Sequence, residues 1–226
     1  MANVNLDAVD TDGAIREAGA EVVGDTRLTF LRKGAITGGA ALGAGAILSA
    51  LNSDTALAKG RPPASFGKGD VAIMNYALTL EYLESSFYDE ATRSAKITDP
   101  ALKAFLETVT ADERAHVKLF KAALGSKAIK KPKFDFMGIP SDSTRFASTA
   151  YVLENTGVHA FLGQASNIKD PKLLLTAASI VTVEARHSGA IGLFLNKPIA
   201  PNGPFDNGLT ATEVLKTVKE TGFIRP

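Results

Sequence analysis

No cysteine occurs in the 226 residues. That absence excludes disulfides, zinc-thiolate sites, iron–sulfur clusters and thiol catalysis, so any metal must be held by oxygen and nitrogen ligands. An excess of one charge is missing too: 25 Lys and Arg stand against 24 Asp and Glu, for a formal net charge of +1. Nucleic acid is therefore not an expected partner, since no electrostatic footprint for it is visible. Strand-type alternation is absent throughout, and only three histidines occur, so each can be weighed singly. What is present is enough chain for one well-buried domain with tails.

Residues 1–25 are polar and acidic and read as a flexible leader. Residues 26–58 follow as Arg32 and Lys33, an uncharged run from Gly34 to Leu51, and Ala56-Leu57-Ala58. A basic flank, an apolar segment and a small-x-small site describe an export signal, which places the mature protein in the periplasm or outside the cell. The order resembles a twin-arginine signal, which carries folded, cofactor-loaded proteins. Arg27, however, is followed by Leu28 where that signal has a second arginine. An uncleaved membrane tether through 34–51 and a soluble Gly/Ala-rich segment are the other readings. Residues 59–69 read as linker, and 70–226 as the folded domain.

From Asp70 onward the pattern is helical. The first helix spans about Asp70 to Ser94. The second opens at Asp99-Pro100, an N-cap followed by proline at the first helical position, and runs to Leu124 before Gly125. The third begins near Ser143, and Asp170-Pro171 repeats that opening for the fourth, which ends near Asn196-Lys197-Pro198. Thr210 and Glu213 form the capping-box pattern of a short fifth helix. The expected fold is all-α.

In helix two Leu102, Leu106, Val109, Glu113, His116, Phe120 and Ala123 recur in alternating steps of 4 and 3. Leu173, Ala177, Ile180, Glu184, His187, Ile191 and Phe194 do the same in helix four. Such positions face a bundle interior, so two Glu-x-x-His pairs should point inward among apolar side chains. Helices one and three echo each other as well: Ala77, Glu81, Glu84 and Tyr88 align with Ala150, Glu154, Gly157 and Phe161. A helical hairpin has been used twice.

A buried carboxylate costs several kcal/mol unless it is compensated, and clustered carboxylates protonate rather than repel. Two divalent cations answer both difficulties: four carboxylates neutralise them, and two imidazoles fill further positions. Residues at i and i+3 share a helix face, so each Glu-x-x-His grips one ion, and one glutamate from each remaining helix bridges or chelates. The rival reading is a buried hydrogen-bonded network without metal. His159 lies five residues after Glu154 on a different face and reads as hydrogen-bonded or exposed rather than as a ligand.

From about Gly69 onward, including "NYALTLEYLESSFY" and "PFDNGLTATEVL", the chain resembles the ferritin-like superfamily, in particular exported bacterial proteins related to plant desiccation-associated proteins. The resemblance implies a four-helix bundle of two hairpins joined by a crossover, plus a short C-terminal helix. Carried over by position, it implies metal ligands at Glu81, Glu113 and His116 from one hairpin and Glu154, Glu184 and His187 from the other. Tyr88 matches an aromatic residue of ferritin helices, and Glu84 stands as a supporting neighbour or alternative ligand. The implied cofactor is two iron or two manganese ions, with O₂ or peroxide as partner and oxidation of ferrous iron or peroxide removal as chemistry. The rubrerythrin form is disfavoured, because its electron-delivery module needs cysteine-bound iron. The alternative function is a non-enzymatic stress or surface-assembly protein with a structural or vestigial metal site.

Overall fold

The second, third and fourth helices begin by one device. Asp99, Asp142 and Asp170 each accept a hydrogen bond from a first-turn amide, at 2.8 Å from Leu102, 2.9 Å from Arg145 and 2.8 Å from Lys172. An aspartate there satisfies a donor the helix cannot, and places negative charge at the positive end of the macrodipole. Pro100 and Pro171 at the first helical position cost no hydrogen bond.

The computed structural model describes residues 60–225, so the leader and the export-like segment lie outside the described residues. The helices are α1 (Gly69–Ser94), α2 (Pro100–Leu124), α3 (Ser143–Ala165), α4 (Pro171–Phe194) and α5 (Ala211–Glu220). α1 pairs with α2 and α3 with α4, each hairpin closed by a short turn. Thr210 and Glu213 form the full capping box that starts α5, which packs on α3.

The crossover 125–142 travels the length of the bundle. It leaves α2 where the Asn75 side chain of α1 donates to the Lys127 carbonyl and accepts from the Ile129 amide, both at 3.0 Å. It reaches α3 at the opposite end, where Phe87 and Phe146 stack at 5.5 Å. On the way it makes the one departure from all-helical structure among the described residues. β1 (Lys133–Phe134) pairs antiparallel with β2 (Ile224–Arg225), a ladder too short for any alternation to show in the sequence. Phe136 packs edge-on against Phe223 at 5.2 Å beside it.

Burial follows the expected seams with one drift. In α2 the seam ends on buried Leu124 rather than Ala123, and in α4 Phe194 at the last position is exposed. A 3.5-residue repeat slips against a 3.6-residue helix, and over about six turns the end positions rotate off the contact face. Along α2 and α4 the buried apolar residues fall into two groups. Leu106, Val109 and Ile191 lie to one side, with Phe120, Leu124, Ala177 and Ile180 to the other. Polar residues occupy the layer between them.

Candidate metal centre

That layer is made by all four long helices. α1 contributes Glu81 and Glu84, α2 Glu113 and His116, α3 Glu154, and α4 Glu184 and His187, and all seven side chains are buried. Their ligand atoms converge in two overlapping sets. Glu81, Glu113, His116 and Glu184 each place one such atom within 4.8 Å of the others, and so do Glu113, Glu154, Glu184 and His187. Glu113 and Glu184 belong to both. The six residues expected from the sequence are therefore brought together, each Glu-x-x-His anchoring a different set.

Proximity here is not hydrogen bonding. The Nδ1 of His116 lies 3.3 Å from Glu81, 3.5 Å from Glu113 and 3.2 Å from Glu184. Yet this nitrogen and both oxygens of Glu81, Glu113 and Glu184 find no aligned hydrogen-bond partner. Buried polar atoms are rarely left so, and a cluster of them all directed into one space is what a cation would satisfy. The donor set of carboxylate oxygen and imidazole nitrogen suits iron or manganese.

With protons alone to balance it, the cluster divides its charge unevenly. Burial pushes Glu81 up to about 8. It raises Glu84 and Glu184 well above the carboxylate range, where neighbouring carboxylates add to the shift, and it raises Glu154 too. Burial acts upward on Glu113 as well, but the two imidazoles beside it prevail and hold it down to about 2. For His187 burial acts downward and is outweighed by Glu113 and Glu154, which push it up to about 11. His116 is raised by its three carboxylate neighbours against the same opposing burial.

Around the cluster the pseudo-symmetry breaks. The Tyr88 hydroxyl donates to Oε1 of Glu154, whose Oε2 lies 3.2 Å from Nδ1 of His187. On its outer side His187 meets Asp112, with Nε2 and Oδ2 3.1 Å apart. Asp112 was not identified from the sequence. It is off the apolar seam, its side chain 41% exposed, and the available signal was its place directly before Glu113. Glu84 stands outside both ligand sets. Its room comes from Gly157, where a Cβ would lie 3.3 Å from Oε1 of Glu84 and 3.2 Å from Oε2 of Glu184. His159 lies apart from the cluster, its Nε2 3.1 Å from the Asn202 side-chain amide.

The cluster has an approach from solvent. A cavity of about 790 Å³ opens between α2 and α4, walled by Ala104, Phe105, Thr108 and Leu193, and reaching His187 and Asp112. A family model for the ferritin-like domain matches residues 69–197, more than half of the chain, and the match goes no finer than that domain. A comparison with curated proteins finds no match.

Proposed function

The chain belongs to the ferritin-like domain family, and on that footing we propose that its buried Glu/His layer binds two iron or manganese ions. Glu81, Glu113, His116 and Glu184 would hold one ion, and Glu113, Glu154, Glu184 and His187 the other, with Glu113 and Glu184 bridging. The observation that carries this reading is the overlap of the two sets, together with the unpartnered oxygens of the two shared glutamates. Bound there, two such ions supply two-electron chemistry toward O₂ or peroxide, for oxidation of ferrous iron or removal of peroxide.

The protein's own groups prepare that chemistry. Tyr88 fixes the rotamer of Glu154 through one oxygen and leaves the other facing the site. Asp112 holds the His187 ring so that Nδ1 faces inward, and a carboxylate at the outer nitrogen makes the inner one a better donor. The apolar layers on either side keep bulk water out, and the α2–α4 cavity is wide enough for a small oxidant. Export belongs to the same proposal and is supported by the basic flank, apolar run and small-x-small site of residues 26–58.

Elemental analysis of protein purified from its own host without chelator tests the reading. About two iron or manganese ions per chain is the expected result. No stoichiometric metal, with none taken up on reconstitution, would make the layer a polar core and overturn the proposal.

A further inference from the structure

The two ends of the bundle differ in charge. At the end where α1 and α4 begin, Arg61, Lys68, Lys127, Lys130, Lys131 and Lys169 are all exposed. Three contacts bring these separate segments together. Asn75 donates to the Phe66 and Lys127 carbonyls, Asp70 accepts from the Lys169 and Asp170 amides, and Arg61 donates to the Asn167 carbonyl. The acids Asp70 and Asp170 of this end are engaged with backbone amides, and Glu213 at the start of α5 accepts from the Thr210 amide. Leu175, one turn into α4, is 64% exposed beside them. At the far end Lys96, Lys103 and Arg145 are interspersed with Glu90, Asp99 and Asp142, so no such excess forms.

The basic end is also where the chain enters the bundle. The Gly60 carbonyl accepts from the Gln164 side chain at 2.6 Å and from the Ala211 amide at 3.0 Å, which pins the polypeptide at the C-terminal end of α3. Eight residues, 52–59, separate Gly60 from the uncharged run Gly34–Leu51. Fully extended they reach no more than about 30 Å.

We propose that this basic end is a docking face for an anionic lipid surface. Lysines clustered on one face gain from the negative potential of such a surface, and an exposed leucine at the same end suits the interface. The inference goes beyond the metal site and does not depend on it.

The test is co-sedimentation of the full chain with phosphatidylcholine vesicles, with and without phosphatidylglycerol. The readout is the preference for anionic over neutral vesicles, which isolates charge whether or not residues 34–51 insert. Replacing Lys127, Lys130, Lys131 and Lys169 together by Gln should reduce that preference by about fivefold per lysine. Replacing Lys96, Lys103, Arg145 and Lys197 by Gln removes the same charge elsewhere and should leave most of it. Salt of about 1 M should abolish it, since the Debye length falls to about 3 Å. Equal binding to both vesicles, or equal losses in the two variants, would overturn the proposal. A wild-type chain that ignores anionic vesicles but is retained by duplex DNA would overturn it as well.

Discussion

Asp112 Oδ2 lies 3.1 Å from Nε2 of His187, and the matching position in α4 is Val183. Among the described residues no side chain hydrogen-bonds the corresponding nitrogen of His116. The two halves of a repeated hairpin thus give their histidines different support. The same half that carries Asp112 also carries Tyr88 against Glu154, where the echo has Phe161. A histidine backed by a carboxylate is oriented and more basic, so the Glu154/His187 position should bind its cation the more tightly.

Replacing Asp112 by Ala should therefore weaken one of two Mn²⁺ affinities by about 10–100-fold and leave the other within a few-fold. Calorimetric titration of the protein with Mn²⁺ resolves the two. If both affinities fall together, or neither moves, the support for His187 has no bearing on metal.

Removing the first Glu-x-x-His tests the ligand sets directly. Glu113 is shared by both sets and His116 completes one, so the double change to Ala should abolish binding of at least one ion. Glu81→Gln should cost more affinity than Glu84→Gln, because Glu84 belongs to neither set. Metal content per chain after reconstitution reads both comparisons, and a larger loss with Glu84→Gln would reverse the roles on α1.

The helices and the Glu/His residues of the buried layer were legible because their signals are local. Asp-Pro openings, a capping box and two i, i+3 pairs on apolar seams each sit within a few residues of one another. Asp112 was not, because its partner His187 is on another helix and a half-exposed aspartate beside a glutamate carries no distinguishing spacing. Nor was the socket that Gly157 provides for Glu84, since the space is defined only when α1, α3 and α4 meet. The burial of α1 on all sides from Asn75 to Tyr88 likewise depends on the crossover that packs against it. Its sequence shows little periodicity because no face is left for solvent.

Stability of the chelated protein should fall as pH rises through neutrality. Glu81 is raised to about 8 in the fold against about 4.3 unfolded, so the folded state holds a proton that the unfolded chain has released. That contribution is complete below about pH 4.3 and lost as pH climbs to 8. His187, raised to about 11 against about 6.5 unfolded, has the same sign over a later window. Glu113, lowered to about 2, acts oppositely but only below about pH 4.3. Thermal midpoints measured from pH 5 to 9 in chelator should decline. Cations compete with the same protons, so Mn²⁺ affinity should rise across that range with proton release detectable in buffers of different ionisation enthalpy. A midpoint that rises with pH in chelator would contradict the charge distribution of the cluster.

A different outcome is expected at Tyr76, whose hydroxyl is buried in α1 without a partner. Burial alone raises its pKa, as it does for a phenol with no group to ionise against. An unpartnered hydroxyl carries a desolvation cost that the ring does not, so Tyr76→Phe removes the cost and keeps the edge-on contact with Phe66 at 6.2 Å. The variant should gain about 1 kcal/mol in urea unfolding with an unchanged slope. A loss of that size would mean that the hydroxyl is hydrogen-bonded in solution, and the gain would mark Tyr76 as packing rather than as part of the polar Glu/His layer.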